Sequence, residues 1–331
     1  MDIKSIKGNE MWWGTLGTIR PFPGFSPEVD ACDIQTALDK KANAFPTDVG
    51  ALVGILTNRN NAQRQKVAEA FHQVSQKDLS PALKKTLSGP LEELMLALMM
   101  TPAQFDAHRL RQAMEGMGTD EEGLLEVLCS RTGPQLKDTM VSYKQAFGRY
   151  LEKDLESETS KDFTKLVLAL VMKEERNPKG LIDYHLIGED VKALAAATTG
   201  KKTDTTPWIQ ILTSRDLDHL NRVFQRLHIL KGETIEKMVQ NNFSGDLKLG
   251  LRILVQCIQN TPLYLAQRLH GSMKKSNIVR GIMVGRSEDD LLCVRREFKK
   301  LANTSLYSTI EKEFKGDLQK ALLALCRSED L

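Results

Sequence analysis

In the stretch Met114-Glu-Gly-Met-Gly-Thr-Asp120, two glycines stand one residue apart, and Glu158 follows forty residues after Gly118. Glycine reaches backbone angles closed to other residues, so closely spaced glycines let several carbonyl oxygens turn toward one point. A hard cation suits such a cradle: calcium takes about 6 to 8 oxygen ligands from carbonyls, carboxylates and water, and one carboxylate can supply two of them. The carbonyls of Met114, Gly116 and Gly118 with the carboxylate of Glu158 make a candidate calcium shell, with positions left for water or a phosphate oxygen. The same residues also suit a helix-to-helix turn, with Gly116 as a left-handed C-cap and Thr119 with Glu122 as a capping box for the next helix. The two readings are compatible, because helix ends are where unpaired carbonyls are found.

The elements that must position this loop repeat along the chain. Thr47-Asp48, Thr119-Asp120 and Thr203-Asp204 each place their threonine 12 residues before an arginine, Arg59, Arg131 and Arg215, and Arg286 is a fourth arginine closing an apolar helix. Ser88-Gly89, Ser160-Lys161, Ser244-Gly245 and Lys315-Gly316 each begin 29 residues after those four arginines, an offset that four unrelated segments would not keep. A fixed period of this length is the signature of stacked structural repeats. Within a copy the apolar residues recur at three- and four-residue steps, as in Leu124, Leu125, Val127 and Leu128, then Leu166, Val167, Leu168 and Leu170, which predicts helices; no stretch alternates like a strand. About five short helices fit in each copy, so the fold class is all-α. The four arginines read as buried structural partners for carboxylates or helix C-termini.

The arginine steps of 72, 84 and 71 put about a dozen extra residues between the second and third copies, at the polar Lys173–Lys179 stretch with its Asn177-Pro178. This reads as a linker dividing the copies two and two. The expected organisation is a head at 1–28, copies at 29–101 and 102–172, the linker at 173–184, and copies at 185–260 and 261–331. The head holds Pro21, Pro23 and Pro27 and should be irregular, lying on the main body. Trp12 and Trp13 are expected to pack on the core, a protein partner for the head being the other use of such residues.

Composition narrows the function classes. With 46 basic and 43 acidic residues the net charge is +3, too balanced for a polybasic nucleic-acid protein, so no nucleic acid is expected as a partner. The five cysteines, at 32, 129, 257, 293 and 326, are odd in number and widely spaced, which suggests neither a disulfide framework nor a zinc knuckle and favours a reducing, cytoplasmic setting. No apolar run, Leu94–Met100 included, approaches the length of a spanning helix, so membrane contact is expected to be peripheral. There is no H-E-x-x-H, G-x-S-x-G, P-loop, EF-hand loop or C-x-x-C, and the six histidines are scattered, so no enzyme is expected.

The unit that begins Phe105-Asp106-Ala107, runs through Ala113–Asp120 and Ser130-Arg131-Thr132, and ends Ser157-Glu158-Thr159-Ser160 resembles an annexin repeat. Asn60–Gln65 in the first copy, and Ser305-Leu306-Tyr307, Lys315-Gly316-Asp317 and Ala321–Cys326 in the last, are similar to the same family, and the likeness covers about residues 20 to 331. The resemblance implies a curved disk of four five-helix repeats, with calcium (Ca2+) loops on the convex face that bridge to acidic phospholipid membranes. It also implies a polar core between the halves, whose charged positions are matched by Asp106, Arg131, Arg280 and Asp290, while Arg109 stands where the family commonly has an acid.

Copy by copy, only the second keeps the family's loop: Met114, Gly116 and Gly118 for carbonyls and Glu158 for the distant carboxylate. The first has Ala44 and Pro46 at the glycine positions and Thr86 at the acid position, and the third has Lys202 and Asn242. In the fourth, Met273 stands 13 residues before Arg286 where Met114 stands 17 before Arg131, so Glu313 survives beside a loop shortened by four. Lysines accompany the altered loops: Lys40-Lys41, Lys201-Lys202 and Lys274-Lys275. If the loops share one face, these six charges add a basic, calcium-independent attraction to acidic lipid. The expected function is peripheral, partly calcium-dependent binding to acidic phospholipid. The competing class is a helical interaction scaffold indifferent to both.

Overall fold

The corner between the second and third helices of the first three copies is written in adjacent residues. Arg131 is the C-cap of α7 (Glu121–Ser130), and Thr132 immediately caps α8 (Gly133–Phe147) in a reciprocal capping box with Gln135. Asn60 with Gln63 does the same at α3 (Asn61–Ser75), and Asp216 caps α13 (Leu217–Lys231). Each of these helices then stops at a left-handed residue, Gln76, Gly148 or Gly232, and α17 (Leu291–Ala302) stops the same way at Asn303. Repeated caps at repeated offsets satisfy the end groups a helix leaves unpaired, so the first three copies turn at the same places, while in the fourth α17 starts after Asp290 without a side-chain cap.

The computed structural model describes residues 16–39, 47–116, 118–174, 182–199 and 203–328. Among them are nineteen helices and no strand. The first copy supplies α1 (Pro27–Asp39), α2 (Val49–Leu56), α3, α4 (Leu79–Thr86) and α5 (Gly89–Met99). The second supplies α6 (Pro102–Met114), α7, α8, α9 (Leu151–Glu158) and α10 (Lys161–Val171). The third supplies α11 (Tyr184–Ala197), α12 (Thr205–Ser214), α13 and α14 (Ile235–Asn242). The long α15 (Gly245–Ser272) breaks at Asn260, just before Pro262, so its first part closes the third copy and its second part opens the fourth. The fourth continues with α16 (Ser276–Arg286), α17, α18 (Leu306–Glu313) and α19 (Gly316–Cys326). None of the described helices is long and apolar enough to cross a membrane.

The helices gather into two compact units, one of Met1–Phe105 with Leu265–Leu331, the other of Asp106–Tyr264. This corrects the expectation that the extra residues at 173–184 divide the copies two and two: the stretch joins the second and third copies inside one unit. The cost of closing a loop rises only slowly with its length, so a dozen added residues do not mark a boundary; packing does. In the second unit α10 packs on α7, α8, α9 and α12. There α15 approaches so closely at Gly250 that a Cβ would lie 2.5 Å from Leu166 and 3.3 Å from Phe163. In the first unit α19 packs on α2, α5 and α16.

The described part of the head lies within the first unit as irregular chain on its helices. Ile19 N–H donates to Ser287 O at 2.9 Å, Leu292 N–H to Leu16 O at 3.1 Å, and the Thr18 hydroxyl to Leu325 O at 2.6 Å. Gly17 permits this approach, since a Cβ there would meet the Ser287 carbonyl oxygen at 2.5 Å. Trp12 and Trp13 fall outside the described residues.

One turn departs from its three counterparts. The residue that opens the last helix of each copy is left-handed, with φ of 61° at Gly89, 58° at Gly245 and 66° at Gly316, yet Lys161 holds it at 58°. A side chain in this region costs about 1–2 kcal/mol, partly offset by the about 0.5–1 kcal/mol that glycine loses in chain entropy. Lys161→Gly is therefore expected to stabilise the protein by about 0.5–1 kcal/mol in urea unfolding. A loss of stability would contradict this reading of the turn.

Candidate functional site

The helix that leads into the loop is anchored by a buried ion pair. Arg131 reaches back from its corner to Asp106 of α6, Nε to Oδ2 at 2.6 Å and Nη2 to Oδ1 at 3.1 Å, both side chains buried. Arg59 holds Asp30 and Arg215 holds Asp190 in the same two-pronged way, and His219 adds a further contact to Asp190 at 2.7 Å. In the fourth copy Leu265 occupies the aspartate position, and Arg286 turns instead to Asp290, four residues on, at 2.6 and 2.7 Å. All four corner arginines are thus tied to carboxylates. Of the other charged positions, Arg109 donates to Glu126 at 2.5 Å and Arg280 pairs with Glu93.

From that anchor α6 runs to Met114, and the chain then turns through glycines at positive φ, 109° at Gly116 and 94° at Gly118, with open space where a Cβ would stand. The Asp120 N–H donates to Ala113 O at 2.8 Å and closes the loop. No described residue donates a hydrogen bond to the carbonyls of Met114, Gly116 or Gly118. The distant acid arrives by a tether: the Thr119 hydroxyl donates to the backbone carbonyl of Glu158, the last residue of α9, at 3.1 Å. The Glu158 side chain is exposed, with no partner among the described residues. Among those residues no group of three or more His, Cys, Asp or Glu side chains is placed to hold a metal. A cation here would rest on backbone carbonyls and one carboxylate, a donor set that suits calcium.

The capping expectation at this turn is corrected. Asp120, not Thr119, caps α7, its carboxylate accepting from Gly123 N–H at 2.9 Å. Thr119 is drawn instead into the contact with Glu158, so the residue read as a cap joins the two parts of the site.

The other copies show the same frame with different chemistry. In the third, the Thr203 hydroxyl donates to Asn242 O at 3.1 Å, but Asn242 carries an uncharged amide that donates to Met238 O, and Lys201 and Lys202 lie outside the described residues. In the first, Asp48 N–H donates to Ala37 O at 3.3 Å, and Lys40 and Lys41 lie outside the described residues. In the fourth, a tight turn from Ser272 to Lys275 leads directly into α16; Lys274 and Lys275 are exposed, as is Glu313 at the end of α18.

A second cluster beside the loop was not legible in the sequence read copy by copy. The buried Asp154 accepts from Tyr143 Oη at 2.6 Å, from Arg149 Nε and Nη2 at 2.6–2.9 Å, and from Arg111 Nη1 at 3.2 Å. Arg111 also donates its Nε to Glu115 at 2.7 Å. Burial pushes the Asp154 carboxyl up, but hydrogen bonds from Arg149 and Tyr143 and the charges of Arg149 and Arg111 outweigh it and hold the group below its ordinary range. Burial first, and the bond to Asp154 second, push the Tyr143 hydroxyl up to about 12.

Known proteins carry the same frame. The sequence model of the annexin family matches residues 33–98, 105–170, 189–254 and 264–325. Annexin A9 of Homo sapiens is 39% identical over 323 residues, covering 96% of this chain and 92% of that protein. The structure of annexin III superposes with a TM-score of 0.92 at 38% identity, covering 97% of this chain and 99% of that one. Calcium-bound annexin (Sm)1, at 23% identity and a TM-score of 0.84, covering 94% of this chain and 93% of its own, shares the fold. Four matched repeats, the helical plan and a relative that spans nearly the whole chain place this protein in the annexin family.

Proposed function

We propose that this annexin binds acidic phospholipid surfaces peripherally in the cytoplasm, through one calcium ion at its second repeat and through lysine charge that needs no metal. Annexins generally bind acidic phospholipids in a calcium-dependent manner and are generally non-enzymatic. One observation carries the assignment to the second repeat: its glycine carbonyls are unpartnered by described residues, and its loop is tied to the helix that ends in Glu158. The carbonyls of Met114, Gly116 and Gly118 and the Glu158 carboxylate would hold the ion. Bound there, it would supply a divalent charge with coordination positions open to a lipid phosphate oxygen. The repeats are assigned to 29–101, 102–172, 185–260 and 261–331, and the first residues of the head are left to a protein partner.

The lysine contribution rests on Lys274 and Lys275, exposed where the fourth loop is shortened, and extends to Lys40, Lys41, Lys201 and Lys202. Lysine charge near an anionic leaflet is attractive and decays within a Debye length, about 10 Å at 0.1 M salt. Vesicle co-sedimentation with phosphatidylserine, in chelator and low salt, tests it. Lys274→Ser with Lys275→Ser should weaken that binding on the order of tenfold and leave the calcium increment in place. Unaltered binding in chelator removes the lysine contribution. Binding indifferent to both calcium and acidic lipid replaces the whole reading with a helical interaction scaffold.

A further inference from the structure

The Asp154 cluster occurs in one copy only. Arg111 corresponds to Gln35, Ala195 and His270 in the first, third and fourth copies; Tyr143 to Phe71, Leu227 and Phe298; and Asp154, fourth residue of its eight-residue helix, to Ala82, Met238 and Thr309. Phe147, which lies against Tyr143 and His108 with ring centroids 4.9 and 5.0 Å away, corresponds to Ser75, Lys231 and Ala302. The repeat fold therefore stands without the cluster in three copies out of four. Asp154 is the one buried charge of the cluster, and its desolvation offsets much of the attraction to the more exposed Arg111 and Arg149, so the cluster is a poor device for stability. Stability alone does not explain why the cluster sits in the one copy that keeps the glycine loop and the distant acid.

Its geometry does. Arg111 is three residues before Met114 on α6, and its guanidinium forks, Nε to Glu115 inside the loop and Nη1 to Asp154 on α9. Asp154 is four residues before Glu158, one helical turn away on the same face. We propose that Arg111 is a positioning residue for the calcium site of the second repeat: it clamps the carbonyl-bearing loop to the helix that presents Glu158, so both parts are in register before an ion arrives. Tyr143 and Arg149 hold Asp154 where Arg111 can reach it. The inference rests on the assignment of calcium to this loop. Groups fixed in advance by neighbouring hydrogen bonds bind more tightly because less ordering is left to do.

The proposal has a sign that plain electrostatics does not share. Arg111 is a cation beside a cation-binding loop, so its charge alone opposes calcium, and its removal would tighten binding. A positioning role makes removal weaken it.

The test measures the calcium concentration for half-maximal binding of the full chain to phosphatidylserine vesicles. With it go amide exchange at Asp120 in chelator and the thermal midpoint, for wild type, Arg111→Gln, Arg111→Lys, Tyr143→Phe and Glu158→Gln. Leu166→Ala, in the core of α10, serves as a control for lost stability. Arg111→Gln should raise the half-maximal calcium about tenfold and speed Asp120 exchange in chelator. Arg111→Lys should recover part of both, and Tyr143→Phe should give a smaller shift the same way. Leu166→Ala should leave the half-maximal calcium within twofold at an equal loss of midpoint. An unchanged or lower calcium requirement in Arg111→Gln and Tyr143→Phe, while Glu158→Gln loses its response, overturns the positioning role and leaves the site intact. A full calcium response in Glu158→Gln overturns the site and the positioning role together.

Discussion

Arg131→Met is expected to lower the stability of the protein by about 3–5 kcal/mol, because it leaves the Asp106 carboxylate buried without its partner. Both side chains are about 95% or more buried, and the two bonds at 2.6 and 3.1 Å fix the corner between α7 and α8 against α6. The fourth copy shows how the loss can be relieved, since Leu265 stands in place of the aspartate there and is buried. Adding Asp106→Leu to Arg131→Met should therefore restore more than half of the stability that the single change removes, the residual cost being lost geometry at the corner. Chemical unfolding followed by far-ultraviolet circular dichroism measures both. A single-variant loss below about 1 kcal/mol would show that the pair is not the anchor described.

Glu158→Gln should remove most of the calcium-stimulated membrane binding and leave the fold untouched. The substitution keeps the length of the side chain, and the backbone carbonyl that receives the Thr119 hydroxyl is unaffected. What goes is the single carboxylate among the proposed ligands, the group best suited to a hard divalent ion. The half-maximal calcium concentration on phosphatidylserine vesicles should rise at least about tenfold, while stability in chelator, for so exposed a side chain, should stay within about 0.5 kcal/mol of wild type. Binding in chelator should not change.

Much of this architecture is legible in the chain because it is written four times. The arginine offsets find the corners, and the residue after each of the first three arginines caps the next helix, at Asn60, Thr132 and Asp216. What failed were inferences from one stretch taken alone. The long connection at 173–184 looked like a boundary, but its length says nothing of the packing of α10 on α12, which keeps the second and third copies together. Thr119 looked like a cap because the rule ranks it beside Asp120, and only the folded chain shows that Asp120 reaches Gly123 while Thr119 reaches Glu158. Arg111, Tyr143 and Asp154 are each ordinary residues for a helix; aligned with their counterparts in the other copies they stand out, and the convergence of α6, α8 and α9 gives them a common purpose.

The central claim is that one repeat of the four holds calcium. Equilibrium dialysis with radioactive calcium, on protein saturated with phosphatidylserine vesicles and with the calcium held by vesicles alone subtracted, counts the ions. The account predicts one tightly held ion per chain in the wild type and none in Glu158→Gln. Two or more ions per chain, or one retained in the variant, would contradict it.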